Sequence, residues 1–468
     1  MTENSGSVED TRSADEPRRY RGTASASKLR EIARFFLKLG LVGFGGPLVH
    51  IAMMEDELVG TGSEEWTDQS TFMEGLAICN MLPGPASTQL GIFMGWVRGG
   101  NLGALVAGAT FMAPTFLIVV ALSYVYFAFG QVPSVEAFFY GVNPVVIGLI
   151  AGAAFSMGRS SLREGRSDVE FTLGGEEWQI DWRLLALLAG AFVATVLVNP
   201  NPVVEFAVAG AIAVVLFRPG WVRANGTRLS LATLGALVLA GLSAFRDRLS
   251  AALDGRVTLP SAVGGLLAAA WASPWVKLFL FMLYTGSFIF GGGLVLIPFI
   301  EKFVVANFGW LTATEFVDGI AIGQLTPGPV VMTTAFVGYK LMLDTYGTVG
   351  WAVAGAFVAM VGAFAPSFLF ITGAFPYVAR VRENEVVKAA LYGINAAVVG
   401  AIVGATVTLA TDAFAVIGGT PAVFAGAPLD PVRVALAALT FGLFTRDVDA
   451  AYLIVGGGVL GTAVFFLL

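Results

Sequence analysis

Gly43-Phe44-Gly45-Gly46-Pro47 interrupts one apolar run that would otherwise continue as a helix, and Asn80-Met81-Leu82-Pro83-Gly84-Pro85 interrupts the next. Glycine opens backbone conformations that other residues avoid, and proline removes an amide donor, so together they break a helix. In hydrocarbon the amides and carbonyls freed by such a break cost several kcal/mol each unless something satisfies them. The breaks are therefore tolerated only where these groups face protein, water or a ligand. The same pair returns later as Phe290-Gly291-Gly292-Gly293 and Gln324-Leu325-Thr326-Pro327-Gly328-Pro329. Paired interruptions in two copies of a helical membrane unit point to a transporter's binding site.

The duplication extends beyond these motifs. Glu55, Trp66, Gly75 and Asn80 correspond to Glu301, Trp310, Gly319 and Gln324. Further on, Ala113-Pro114-Thr115-Phe116-Leu117 corresponds to Ala365-Pro366-Ser367-Phe368-Leu369, and Gly141-Val142-Asn143 to Gly393-Ile394-Asn395. The order of so many small and special residues establishes an internal repeat. It divides the chain into a polar cytoplasmic tail expected to be disordered (1–27), a first repeat (28–225), a linker helix and loop (226–273) and a second repeat (274–468).

Composition agrees. Of 468 residues 56% are hydrophobic and 13% charged, with apolar runs long enough to span a bilayer. The expected fold class is an all-α polytopic membrane protein. Apolar segments at 33–54, 71–97, 103–129, 137–157, 183–199, 203–217, 228–244, 275–300, 316–341, 347–375, 386–411, 432–445 and 450–468 suggest about thirteen crossings. With about six per repeat and the segment 228–244 unpaired, the second repeat is expected to be inverted relative to the first. Arginine-rich flanks, beginning with Arg18, Arg19 and Arg21, put the N-terminus in the cytoplasm; the expected location is the cell (cytoplasmic) membrane. The single cysteine (Cys79) and the single histidine (His50) leave no disulfide, thiolate cluster or multi-histidine metal site, and no cofactor is called for. Basic residues are scattered among short loops, which offers no nucleic-acid surface.

The candidate substrate-binding set is Phe44, Gly45, Gly46, Pro47, Asn80, Pro83, Gly84, Pro85, Thr88 and Gln89, with Gly291, Gly292, Gln324, Thr326, Pro327, Gly328, Pro329 and Thr333 from the second repeat. Helix ends opened at the breaks present amide donors, and the neighbouring hydroxyl and amide side chains supplement them. Such a set suits an oxyanion and needs no permanently buried lysine or arginine. The bland alternative is close helix packing by small residues. The matched acids Glu55 with Glu301 and Glu74 with Asp318 are candidates for proton coupling, because carboxylates in membrane segments are costly and can exchange a proton. Glu74 and Asp318 lie about two turns ahead of each Pro-Gly-Pro; Glu55 and Glu301 equally suit helix ends at the interface. Lys38, Arg98 and Lys340 flank the broken segments and could attract an anion, or serve as snorkelling anchors like Lys277 and Lys302. His50 reads as a packed or interfacial residue, and Asn143 and Asn395 as interhelical hydrogen-bonding or cavity-lining groups.

On the Gly-Phe-Gly-Gly-Pro, Asn-Met-Leu-Pro-Gly-Pro, Phe-Gly-Gly-Gly and Gln-Leu-Thr-Pro-Gly-Pro motifs, from about residue 33 to the end, the chain resembles the chromate ion transporter family in its long, two-domain form. The resemblance implies a non-enzymatic secondary transporter that exports chromate, linked to the proton-motive force, with sulfate as a competing look-alike. Gly293 stands where the first repeat has Pro47, so the two halves need not contribute equally. Rival readings are a sulfate or other small-anion carrier and a membrane-embedded enzyme acting on lipid phosphates. The latter lacks a visible acidic metal cluster or nucleophile. Direction, coupling ion and oligomeric state, a homodimer included, stay open, as does whether the Pro-Gly-Pro segments span or re-enter.

Overall fold

Each broken apolar run folds as two half-length helices. The structure, a computed structural model, describes residues 21–60, 66–130, 132–163, 169–173, 176–226, 271–289, 293–375, 377–378, 384–414, 422–424 and 427–467. The tail through residue 20, the linker segment 228–244, and Gly291 and Gly292 lie outside them. The first half runs α1 (Ala26–Val42), α2 (Pro47–Leu58), α3 (Gln69–Cys79), α4 (Ala86–Phe129), α5 (Pro133–Arg163), a hairpin of β1 (Val169–Leu173) and β2 (Glu176–Ile180), α6 (Trp182–Leu197), α7 (Pro202–Phe217) and the short α8 (Pro219–Ala224). The second runs α9 (Pro274–Gly286), α10 (Leu296–Phe299, continuing as a π-helix over Ile300–Asn307), α11 (Ala313–Leu325), α12 (Thr333–Tyr346), α13 (Val349–Leu369), α14 (Glu385–Ala413), a hairpin of β3 (Ala422–Phe424) and β4 (Ala427–Leu429), α15 (Pro431–Phe444) and α16 (Ala450–Leu467). The expected all-α class thus describes the apolar body, and the two antiparallel hairpins, one per half, are an addition to it.

Long, apolar helices confirm a multi-pass membrane protein. Five are long and apolar enough to span a bilayer, namely Ala86–Phe129, Pro133–Arg163, Val349–Ala374, Glu385–Ala413 and Ala450–Leu467. The helices Trp182–Leu197, Pro202–Phe217 and Pro431–Phe444 are apolar but shorter. The segments read as 33–54 and 71–97 do not continue as single helices. The first breaks between α1 and α2 and the second between α3 and α4, where the glycines take positive φ: Gly45 100°, Gly46 79° and Gly84 135°. α4 is itself two helices meeting at Gly99 and Gly100. Local chemistry sets many of the helix starts: Pro47 and Pro202 occupy first-turn positions, and Thr312 with Glu315 forms a capping box on α11. At the start of α3 the Thr71 amide holds the exposed Asp68 carboxyl below its usual range.

The halves repeat their close contacts as well as their motifs. A Cβ on Gly40 would lie 2.4 Å from the Phe111 carbonyl, and one on its counterpart Gly286 2.0 Å from that of Ala363. Gly95 and Gly103 approach one another in the same way as Gly338 and Gly355. The α6–α7 and α15–α16 turns each contain one non-glycine residue of positive φ, Asn199 at 46° and Asp447 at 64°.

The terminal helix pairs are exchanged between halves. α6 and α7 of the first half pack on α14 of the second, while α15 and α16 pack on α5 of the first. Glycines make these contacts close: Gly141 of α5 abuts Gly457 and Gly461 of α16, and its counterpart Gly393 of α14 abuts Ala209 of α7. α5 also touches α14 directly, so the two long helices form the centre around which both repeats close.

Candidate functional site

The breakers of opposite repeats meet. The Gly84 amide donates to the Ile289 carbonyl at 2.5 Å, and the Gly328 amide donates to the Gly43 carbonyl at 3.0 Å. Each Pro-Gly-Pro is therefore tied to the residue that precedes the Phe-Gly-Gly of the other repeat. The exchange also covers the Ala-Pro-Thr and Ala-Pro-Ser segments. The Thr115 hydroxyl donates to the Pro327 carbonyl at 2.6 Å, and a Cβ on Gly328 would lie 2.2 Å from Thr115 Oγ1. Across the pseudo-symmetric contact, a Cβ on Gly84 would lie 2.7 Å from Ser367 Oγ and 2.2 Å from Gln89 Nε2. Only glycine, free of a side chain and at ease with positive φ, fits either position.

These contacts sort the sequence-predicted residues. Gly84, Pro85, Thr88 and Gln89 of the first repeat and Thr326, Pro327, Gly328, Pro329 and Thr333 of the second are buried at the crossing. Pro83 is half-buried there, and its carbonyl accepts from Gln89 Nε2 at 2.6 Å. Thr326 donates to the Gly323 carbonyl and Thr333 to that of Val330, so both hydroxyl protons are spent on their own backbone. In the first repeat Thr88 Oγ1, Gln89 Oε1 and, from the second, Ser367 Oγ are buried without a hydrogen-bond partner among the described residues. Pro47 starts α2 beside Gly45 and Gly46, while Phe44 is exposed. Asn80 is exposed at the end of α3 and Gln324 half-buried at the end of α11. Two of the break glycines do not keep their amides open: Gly84 and Gly328 use theirs to hold the other repeat. Beside the two clasps, the buried side-chain groups left without a partner among the described residues are hydroxyl and carboxamide.

His50 is fully buried at this junction. Its Nε2 lies 2.8 Å from the Gly43 carbonyl, the one that also receives the Gly328 amide, and its Nδ1 lies 3.4 Å from Ser87 Oγ. Phe111 meets the imidazole edge-on.

The matched acids occupy different surroundings. Asp318 is 3% exposed, and Tyr126 of α4 donates to its Oδ2 at 2.5 Å. Asn143 of α5 flanks this carboxyl, and the charge of Arg433 acts on it. Arg433 is 4% exposed; its guanidinium stacks on the Tyr140 ring 4.3 Å away and donates to the Ala413 carbonyl, while Tyr140 donates to Asp430. The second repeat therefore buries an arginine, away from the Pro-Gly-Pro crossing. The sequence reading did not single out Arg433. At the matching helix start in the first repeat, Arg183 pairs with Asp181 at 2.6 Å. Glu74 is only half-buried.

Glu301 is buried on the π-helical turn of α10 and accepts from Asn199 Nδ2, while its neighbour Lys302 donates to the Asn199 carbonyl. Glu205, which the sequence reading passed over, joins this group through the Thr195 hydroxyl at 3.1 Å. Glu55 is half-buried and accepts from Gln69 at 2.7 Å. The flanking cations are all ion-paired away from the crossing: Lys38 with Glu57 at 2.6 Å, Arg98 with Glu31 at 2.9 Å, and Lys340 with Asp344 at 2.9 Å and Glu315 at 3.3 Å.

A sequence model of the chromate transporter family matches residues 30–216 and again residues 276–462. The chain belongs to the chromate transporter family. Among curated proteins it is similar to the probable chromate transport protein of Synechococcus elongatus, with 32% identity covering 82% of this chain and 85% of that one. The chromate transport protein of Cupriavidus metallidurans is 31% identical, covering 83% of this chain and 84% of that one. That of Pseudomonas aeruginosa is 31% identical over 80% of this chain and 79% of its own. No solved structure matches. Both repeats of this family member carry the breakers that meet at the crossing.

Proposed function

We propose that this chain is a secondary transporter that exports chromate across the cytoplasmic membrane in exchange for protons, with the substrate held where the two Pro-Gly-Pro segments cross the opposite Phe-Gly-Gly breaks. The observation that carries the reading is the reciprocal pair of hydrogen bonds, Gly84 to Ile289 and Gly328 to Gly43. Two repeats that clasp each other at their broken helices form a bistable junction of the kind alternating access needs. Separating either clasp releases one amide donor, worth about 1 kcal/mol net in hydrogen bonding and more if left unsatisfied. An oxyanion can take up that donor, so substrate binding and opening are coupled. Thr88 and Ser367 add hydroxyl donors beside it, and Gln89 Oε1 can accept from a singly protonated oxyanion. Asp318 is the favoured proton carrier, because it is the matched acid held in a buried network with Tyr126. The relatives that bear the name chromate transport protein support the substrate. Inversion of the second repeat, and with it opposite access for the two clasps, belongs to the same proposal.

Chromate flux in proteoliposomes, with and without an imposed pH gradient and with excess sulfate, tests this reading. Gradient-stimulated chromate movement is the expected result. Labelled sulfate moving in place of chromate would keep the clasp and discard the substrate. Neither anion moving would discard both.

A further inference from the structure

We infer that a basic groove along α1 is an anion track between solvent and the Gly43–Pro47 break, binding a free oxyanion in transit. Arg30, Arg34 and Lys38 recur every fourth residue of α1, which puts them on one face about 6 Å apart. They line an open groove of about 870 Å³ together with Arg98, Glu31 and Glu57. The two carboxylates are already committed. Glu57 pairs with Lys38, and Glu31 accepts from Arg98 at 2.9 and 3.2 Å and from Trp66 Nε1 at 2.6 Å. Among the described lining residues, four cations stand against two acids, an excess of two positive charges. Among the described residues no carboxylate pairs with Arg30 or Arg34, and both are exposed. These two carry the free charge.

The geometry gives this charge a direction. α2 turns back along α1, so that Glu57 near its end reaches Lys38. The break at Gly43–Pro47 is the closed tip of this pair, and the groove is its open flank. Lys38 lies about two helical turns from Gly45. An anion moving along the ladder passes from Arg30 to Arg34 to Lys38, exchanging one guanidinium or ammonium for the next, and arrives at the break. Arginine suits such a track because its fork binds a tetrahedral oxyanion through two donors. The pairing of Lys38 with Glu57 keeps the innermost step weak enough for release. The inference rests on the anion-transport reading for its role, but the binding of an anion in the groove stands without it.

The test uses the full chain with Arg30→Gln and Arg34→Gln combined, beside Arg30→Lys with Arg34→Lys. In vesicles of zwitterionic lipid at low salt, the glutamine pair should raise the apparent KM for chromate roughly ten-fold while keeping the maximal rate. It should also flatten the loss of flux with rising ionic strength, and the lysine pair should restore both. An unchanged KM and salt profile would overturn the track. A defect that appears only when anionic lipid is added would overturn it too, assigning the groove to lipid headgroups. A transport-independent readout is the Trp66 fluorescence of the solubilised chain, taken as the difference from a Trp66→Phe variant. Iodide should quench it more than neutral acrylamide does, sulfate should compete, and the glutamine pair should abolish the preference. Preference present in a protein that moves no chromate would sink the proposed function and leave the track. Absent preference would sink the track alone.

Discussion

Asp318 differs from Glu74 less in chemistry than in surroundings. Asp318 is 3% exposed and accepts from Tyr126 inside the protein, whereas Glu74 is only half-buried. Coupling should therefore be unequal. Asp318→Asn is expected to abolish the response of flux to an imposed pH gradient, and Glu74→Gln to keep most of it; equal losses in reconstituted vesicles would refute the asymmetry. Arg433 is the second residue whose role depends on its neighbours. Removing a buried charge leaves its partners uncompensated, so Arg433→Met should cost about 3 kcal/mol of stability, read as a lowered thermal midpoint in detergent. Asp318 was visible in the sequence as an acid in an apolar run. Arg433 was not, because its burial comes from α5 and Tyr140, which lie far away in the chain.

The break between two half-helices is the element on which the site depends. Gly328 has φ of 97° and faces Thr115 Oγ1, so Gly328→Ala adds both backbone strain and a clash. Backbone strain alone costs roughly 1–2 kcal/mol. Gly328→Ala should lower the thermal midpoint and transport, and adding Thr115→Ala should recover part of the stability by clearing the hydroxyl. A double variant no more stable than the single one would mean that strain, not the clash, dominates. Replacing both Pro85 and Pro329 by alanine restores amide donors at the breaks and favours straight helices. Flux should vanish in a protein that still unfolds cooperatively, and normal flux in that variant would exclude the crossing as the anion site.

At the scale of the whole molecule, the exchanged helix pairs bind the repeats into one body, so neither half buries its long helix by itself. Inversion predicts that matched positions lie on opposite membrane faces. In a Cys79→Ser background, cysteines placed at the exposed Ser70 and at its counterpart Thr314 should react with a membrane-impermeant maleimide from opposite sides. Labelling from the same side would make the repeats parallel.

The motifs alone determined the duplication, the helical membrane class, the positions of the breaks and the family. Glycine, proline and apolar run length act locally, and their effect on a helix in lipid is the same wherever the segment packs. Only the tertiary structure decided what the breaks touch. Gly84 and Gly328 proved to be clasps on the opposite repeat, not open donors, and Ser367 and Thr115, legible as repeat markers, proved to sit against those clasps. The ion pairs of Lys38, Arg98 and Lys340 likewise join residues brought together by helix packing. Contacts between halves join residues far apart in the chain, and no local pattern encodes which carbonyl a freed amide will find.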